Sequence, residues 1–212
     1  MNIIEERMAE HEAVFQATKA LAPAIAEAGD MIKTALQTGH KILFCGNGGS
    51  AADSQHLAAE IVGRFQKERR AFPAIALTVD TSVLTAVAND YGYETVFSRQ
   101  VQALGNEGDV LVGISTSGNS GNVLAAIAEA RAKGMKVIGM TAIGGGKMKE
   151  LCDVILAVPA KTTARAQEMH IMIGISSVKL PKKTCKFNLQ KHRIPWQDPV
   201  LLFFLGGETN RE

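Results

Sequence analysis

The sequence predicts an α/β protein: a parallel five-stranded sheet flanked by helices, preceded by a helical extension. Three observations carry this. Apolar runs of strand length alternate with helical patterns from residue 39 onward, the order expected of βαβ units with right-handed crossovers. The runs are continuously apolar rather than alternating, as strands buried on both faces are. Two of them stop abruptly in glycine- and hydroxyl-rich loops that open directly into helices, which is where such sheets bind ligands.

Composition fits this class. With 212 residues and 46% hydrophobic content the chain has ample material for one aliphatic core, and aromatics are only 5%. A net charge of +2 argues against a dedicated nucleic-acid or membrane surface. Cys45, Cys152 and Cys185 are odd in number and widely spaced, so they suggest neither a disulfide framework nor a structural zinc knuckle and suit a reducing compartment. The acidic, polar start M-N-I-I-E-E-R is not a signal peptide, and no apolar run reaches membrane-span length. A soluble, cytoplasmic protein is expected.

Residues 1–38 read as helix. Ile3, Ile4, Met8, His11, Phe15, Leu21, Ile25, Met31, Ile32 and Leu36 recur at three- and four-residue steps, and Pro23 divides the run in two. Such helices either pack on another subunit or cover their own sheet. Residues 39–174 form the sheet domain. Lys41–Cys45 is the first strand, followed by the loop Gly46–Ser50 and a helix from about Ala51 to Phe65. Phe72–Thr78 is the second strand. Asp80–Ala88 is a short helix interrupted at Asn89-Asp90, and helix resumes over Glu94–Leu104. Asp109–Ile114 is the third strand. Asn122–Lys133 is a helix closed by Gly134. Lys136–Thr141 is the fourth strand, Lys147–Leu151 a short helix and Asp153–Val158 the fifth strand; a last helix opens near Ala164. Residues 175–212 differ in character. They contain three prolines, the only Trp, and seven Lys and Arg against three Asp and Glu, without sustained periodicity. They read as an irregular tail.

The loop after the third strand, S-T-S-G-N-S, is built to hold an anion. Ser115, Thr116, Ser117 and Ser120 supply hydroxyl donors, and the following helix N-terminus adds N–H groups and its dipole. The loop has no lysine and no G-x-x-x-x-G-K-[ST] pattern, so a monophosphate on a small molecule fits better than a nucleotide triphosphate. On the helix after G-N-G-G-S, His56, Glu60 and Arg64 share one face. The His–Glu pair is a general base, half of a metal site, or both; Arg64 is a phosphate clamp or a solvated surface residue. Gly46-x-Gly48-x-x-Ala51 also fits a dinucleotide-binding turn, but the acid that should close the second strand has only Asp80 as candidate, which comes too late.

Four stretches, C-G-N-G-G-S-A-A-D-S-Q-H-x-A-A-E, A-N-D-Y-G-Y-E, G-D-V-L-V-G-I-S-T-S-G-N-S-x-N-V and A-R-A-Q-E-M-H, together resemble the sedoheptulose-7-phosphate isomerase (phosphoheptose isomerase) family of sugar-isomerase (SIS) phosphosugar-binding domains. The resemblance covers about residues 1–174. It implies a flavodoxin-like three-layer sandwich and a cytoplasmic homotetramer with one zinc per subunit. The implied reaction turns D-sedoheptulose 7-phosphate into D-glycero-D-manno-heptose 7-phosphate, the first step toward the ADP-heptose of the lipopolysaccharide core. It implies phosphate binding by Ser115, Thr116, Ser117 and Ser120, and sugar contacts by Asn47, Gly48, Gly49, Ser50, Arg64, Asn89, Asp90 and Gln167. Glu60 would be the base moving a proton between C1 and C2, and His56, Glu60 and Gln167 would be zinc ligands. A replication-initiator-associating relative shares the scaffold and acts by protein binding. That relative lacks the acid on the helix after the first glycine loop, so retention of Glu60 beside an intact G-N-G-G-S favours the enzyme.

The chain departs from the family at one place. The family's fourth ligand and second acid/base is a His eight residues after the Gln; here that position is Ile175, and His170 does not replace it. The expected M-I-G-H-I-I-C-E reads M-I-G-I-S-S-V-K. Removing the third base of the Gly codon from GGx-CAT-ATC-ATC-TGT-GAA-A gives GGC-ATA-TCA-TCT-GTG-AAA, which encodes Gly174–Lys179 as they stand. We therefore read the tail from Ile175 as frame-shifted, with a native, remodelled tail as the alternative; a chain that truly carries this tail is expected to show strongly reduced isomerase activity with phosphosugar binding largely kept. Resequencing the gene across this codon checks the frame; an unshifted frame carrying the same tail in a functional strain would refute it.

Overall fold

The computed structural model describes residues 2–63 and 69–177. Arg64 and the tail beyond Ser177 lie outside the described residues. Helix α1 spans Ile3–Thr18 and opens on a capping box: Asn2 Oδ1 accepts from the Ile4 and Glu5 amides, and Glu5 accepts from the Asn2 amide. A 3₁₀ turn, Lys19–Leu21, joins it to α2, Ala22–Gln37. Pro23 sits in the first turn of α2, where its missing N–H leaves no bond unmade. Helix α2 buries Ala28, Ile32, Ala35 and Leu36 at helical spacing, whereas α1 buries only Thr18.

Strand β1 (Ile42–Gly46) leads to α3 (Gly49–Val62), β2 (Ala74–Ala76) and α4 (Thr81–Tyr91). Then come α5 (Ser98–Leu104), β3 (Val110–Ile114), α6 (Gly121–Ala132) and β4 (Lys136–Thr141). Strand β5 (Val154–Ala157) and helix α7 (Thr163–Ser177) complete the described fold. All strand pairs are parallel and the sheet order is β2-β1-β3-β4-β5. Alternate side chains of each strand enter opposite layers. Phe44, Val112 and Ile138 pack with Leu57 and Ile61 of α3, Ile32 and Leu36 of α2, and Met169 and Ile173 of α7. Leu43, Leu111 and Val137 pack with Phe97, Val101, Val123 and Ile127 on the other face. Each such fully buried aliphatic side chain contributes roughly 1.5–3 kcal/mol relative to exposure.

Several expected boundaries shift. Strand β2 is three residues rather than the seven of Phe72–Thr78. The interruption at Asn89-Asp90 does not occur: α4 runs through both and stops at Gly92, whose φ of 89° ends the helix. The helix placed over Glu94–Leu104 is a 3₁₀ turn, Tyr93–Thr95, followed by α5. The short helix before β5 is 3₁₀ and spans Gly146–Glu150. Helix α7 continues through Ile175, Ser176 and Ser177, three residues assigned above to the irregular tail. Their side chains still suit the helix: Ile175 packs against the core, and the hydroxyls of Ser176 and Ser177 donate to the carbonyls of Met172 and Ile173.

Candidate active site

The chain leaves β1 toward β2 on one side and reaches β3 on the other, so the strand order switches between β1 and β3. Gly46 lies opposite Ile114 in the register. The two loops singled out above, 46–50 and 115–120, therefore leave neighbouring strand ends at the switch point and flank one crevice. Close approach demands glycine there. A Cβ on Gly46 would fall 2.9 Å from the Ile114 carbonyl oxygen and 2.8 Å from that of Ser50.

The hydroxyls of the second loop converge. Ser115 Oγ is 2.8 Å from Ser120 Oγ and 3.3 Å from Ser117 Oγ. Ser120 is the N-cap residue of α6, yet its hydroxyl turns to Ser115 rather than capping the helix. Ser117 Oγ accepts from the Asn119 amide at 3.1 Å. The Thr116 carbonyl accepts from the Ala142 amide at 3.0 Å, and the Ser115 amide donates to Met140, tying the loop to β4. The loop also leans on the turn after β4: a Cβ on Gly118, at φ 64°, would collide with the Gly145 carbonyl. The Met148 amide donates to the Gly118 carbonyl at 3.1 Å, and that of Lys147 to Asn119 Oδ1 at 3.1 Å. Converging hydroxyls at a helix N-terminus have the donors an anion would need.

Helix α3 carries the titratable pair. His56 Nε2 lies 3.2 Å from Glu60 Oε1, both side chains partly open to solvent. Asp53, one turn before His56, was not singled out from the sequence. One of its carboxylate oxygens is buried without a hydrogen-bond partner; burial raises its pKa, and the charge of His56 works against that shift. Its i, i+3 spacing to His56 is the signal that marks it. The Arg69 guanidinium donates to the Glu60 carbonyl at 2.8 Å and lies 5.3 Å from the Phe72 ring centroid, closing the far end of α3.

Gly48, at φ 57°, forms the turn ahead of Gly49, where α3 begins, and Ser50 is buried in the first turn. Gln167 lies against Gly49, where a Cβ would fall 2.6 Å from its Nε2. Asn47 faces Asn122 and Tyr93. Asn89 and Asp90 are exposed at the end of α4 and pair with each other, Asn89 Nδ2 donating to Asp90 Oδ1 at 2.9 Å. Arg64 lies outside the described residues.

A metal fits these residues in part. His56 and Glu60 present adjoining nitrogen and oxygen donors of the kind zinc takes. Gln167 shares their face of the α3 groove but meets the helix at Gly49, two turns before His56. Ile175 is a core-packed aliphatic side chain without a lone pair. Among the described residues no group of three His, Cys, Asp or Glu is placed to hold a metal ion.

The profile of the SIS domain matches residues 8–142, and the chain belongs to the SIS domain family. Within it, the chain is 56% identical over 173 residues to phosphoheptose isomerase 1 of Campylobacter jejuni, covering 82% of this chain and 93% of that protein. It is 60% identical over 153 residues to the phosphoheptose isomerase of Rhodospirillum rubrum, covering 72% and 81%. The structure of phosphoheptose isomerase from Neisseria gonorrhoeae superposes with a TM-score of 0.79 at 46% identity, covering 82% of this chain and 94% of that one.

Proposed function

We propose that the chain is a phosphoheptose isomerase whose fold and binding crevice are intact and whose catalytic machinery lacks one member. The substrate is D-sedoheptulose 7-phosphate and the product D-glycero-D-manno-heptose 7-phosphate, formed through an enediol. The observation that carries this reading is the pairing of the Ser115–Ser117–Ser120 hydroxyl cluster with the His56–Glu60 pair on the helix opening from the adjacent strand. One side holds a phosphate; the other brings a carboxylate to the carbon chain that the phosphate anchors.

Ketose–aldose isomerisation moves one proton between C1 and C2 and another between their oxygens. Glu60 takes the carbon-bound proton and returns it to the neighbouring carbon, with His56 holding its carboxylate at 3.2 Å. Asn47, Gly48, Gly49 and Ser50 line the sugar, and Gln167, seated on Gly49, closes that side. A zinc ion held by His56, Glu60 and Gln167 would stabilise negative charge on the oxygens. The oxygen-side proton needs a second acid/base, and Ile175 cannot supply it. Turnover is therefore expected to fall by about 10²–10⁴-fold from that of a complete site, with phosphosugar binding kept.

A cytoplasmic homotetramer is part of the same proposal. The exposed Ile3, Ile4 and Met8 of α1 support self-association, and no helix among the described residues is long and apolar enough to cross a membrane. Calorimetric titration with sedoheptulose 7-phosphate, followed by an NMR assay for the aldose with added zinc, tests the reading. Binding with slow, Glu60-dependent turnover is the expected result. Absence of binding would overturn it, and family-like turnover would refute the assigned need for a second acid/base.

A further inference from the structure

Asn122 has no role in the reaction as described so far, yet it is 4% exposed and lies in the first turn of α6 directly behind the hydroxyl cradle. Its carboxamide forms a reciprocal pair with that of Asn47: Asn122 Nδ2 donates to Asn47 Oδ1 at 2.9 Å, and Asn47 Nδ2 donates to Asn122 Oδ1 at 2.9 Å. Asn47 Oδ1 also accepts from Tyr93 Oη at 3.2 Å. The three residues come from three elements that surround the crevice: the loop after β1, the helix after the hydroxyl loop, and the 3₁₀ turn after α4.

We propose that Asn122 is a positioning residue: its amide pair with Asn47 locks the phosphate-holding helix to the sugar-lining loop and so sets where the carbon chain lies relative to Glu60. The proposal rests on the phosphosugar reading above and adds a component to it.

The chemistry of the pair supports a geometric role. A carboxamide carries one acceptor oxygen with two lone pairs and two N–H donors. Asn47 Oδ1 has both lone pairs engaged, by Asn122 and Tyr93, so Asn47 meets a ligand with its N–H side, as a donor to a sugar oxygen. The pair thus fixes the direction in which Asn47 can act as well as the gap between the loops. Two apolar side chains would tie the loops together with less desolvation, but they would leave rotation and spacing soft. Two opposed hydrogen bonds fix both. The side chain of Asn122 bonds to Asn47 and to none of the cradle hydroxyls. Loss of the pair should therefore weaken recognition of the sugar while leaving recognition of phosphate alone.

The experiment compares sedoheptulose 7-phosphate with inorganic phosphate as calorimetric ligands of the full chain. N122L removes the pair in a similar volume. N122S, should N122L fail to fold, removes the carboxamide pair while keeping a small, uncharged polar side chain in the first turn of α6. Either variant is expected to lose about tenfold in affinity for the phosphosugar, with phosphate affinity within about twofold of the unsubstituted chain. N47A should produce a selective loss at least as large, since it also removes the N–H donor to the sugar, and N47A/N122S no loss beyond that of N47A, because N47A already breaks the pair. Retained phosphosugar affinity in N122S, or equal loss of both ligands, would overturn the positioning role alone. An unsubstituted chain that binds phosphate but not sedoheptulose 7-phosphate would overturn the substrate assignment and the positioning role with it.

Discussion

Gly174 of α7 sits on Leu57 of α3: a Cβ at Gly174 would fall 2.5 Å from both terminal carbons of that leucine. About two turns earlier on the same helices, Gln167 sits on Gly49. Eight residues of α3 thus match seven of α7, so the two helices run side by side in the same direction. Residue 175 follows Gly174 beside the turn of α3 that carries His56 and Glu60.

This register makes I175H an informative substitution. A histidine there would bring an imidazole to the neighbourhood of the His56–Glu60 pair, where the chain now has an aliphatic group. Turnover with zinc should rise by about 10²-fold, and zinc affinity should rise with it. A coupled assay and a competition titration with a chelating dye measure the two effects. E60Q in the same background should abolish the gain.

The contact itself predicts a stability effect. G174A places a methyl group into Leu57 and should destabilise the fold by about 1–3 kcal/mol. L57A in that background opens the space again, so the double variant should be more stable than the sum of the two single losses implies. Urea midpoints give the values; an unperturbed G174A would contradict the close approach of α3 and α7.

The hydroxyl cradle is tested most directly at Ser115, which is buried and within 3.3 Å of two other serine oxygens. S115A should weaken inorganic phosphate binding about tenfold with little change in melting temperature. If calorimetry shows the affinity unchanged, anion binding lies elsewhere.

His170 predicts a pH dependence of stability. It is fully buried, its Nε2 lies 3.0 Å from the Thr141 carbonyl, and Nδ1 has no partner. Burial lowers its pKa from the ordinary 6.5, with the bond to Thr141 opposing the shift. Below about pH 6.5 the unfolded chain takes up a proton that the folded chain refuses, so its contribution to stability is complete above that pH and declines as the pH falls toward the folded value. Melting temperatures between about pH 5 and 8 should fall on the acid side. H170L, though less stable throughout, should show a shallower slope.

The sheet was legible because each buried strand is a short unbroken apolar run, as in K-I-L-F-C and V-L-V-G-I, and because glycine and hydroxyl loops mark the strand ends. Helix interruptions were less legible. Asn89 and Asp90 look like a break by composition, but the stop comes from Gly92, which alone adopts a positive φ there. In the site, the residues within motifs, Ser115, Ser120, His56 and Glu60, could be placed from spacing. Asn122 and Tyr93 stand inside the same stretches, but spacing did not single them out, because what they do lies in contacts across 75 and 46 residues of chain. Asp53 stood in plain view, but the burial of one carboxylate oxygen is not a sequence property.

The meeting of Gly118 with Gly145 has a consequence for engineering and for ancestry. The serine-rich loop borrows part of its shape from a glycine turn, Gly145 lying 27 residues after Gly118 in the chain. It is therefore not a cassette. Grafted alone onto another parallel sheet, S-T-S-G-N-S should relax into an ordinary turn. Transplanted together with Gly144–Gly146, it should keep its form, and over evolutionary time the two segments are expected to change in concert.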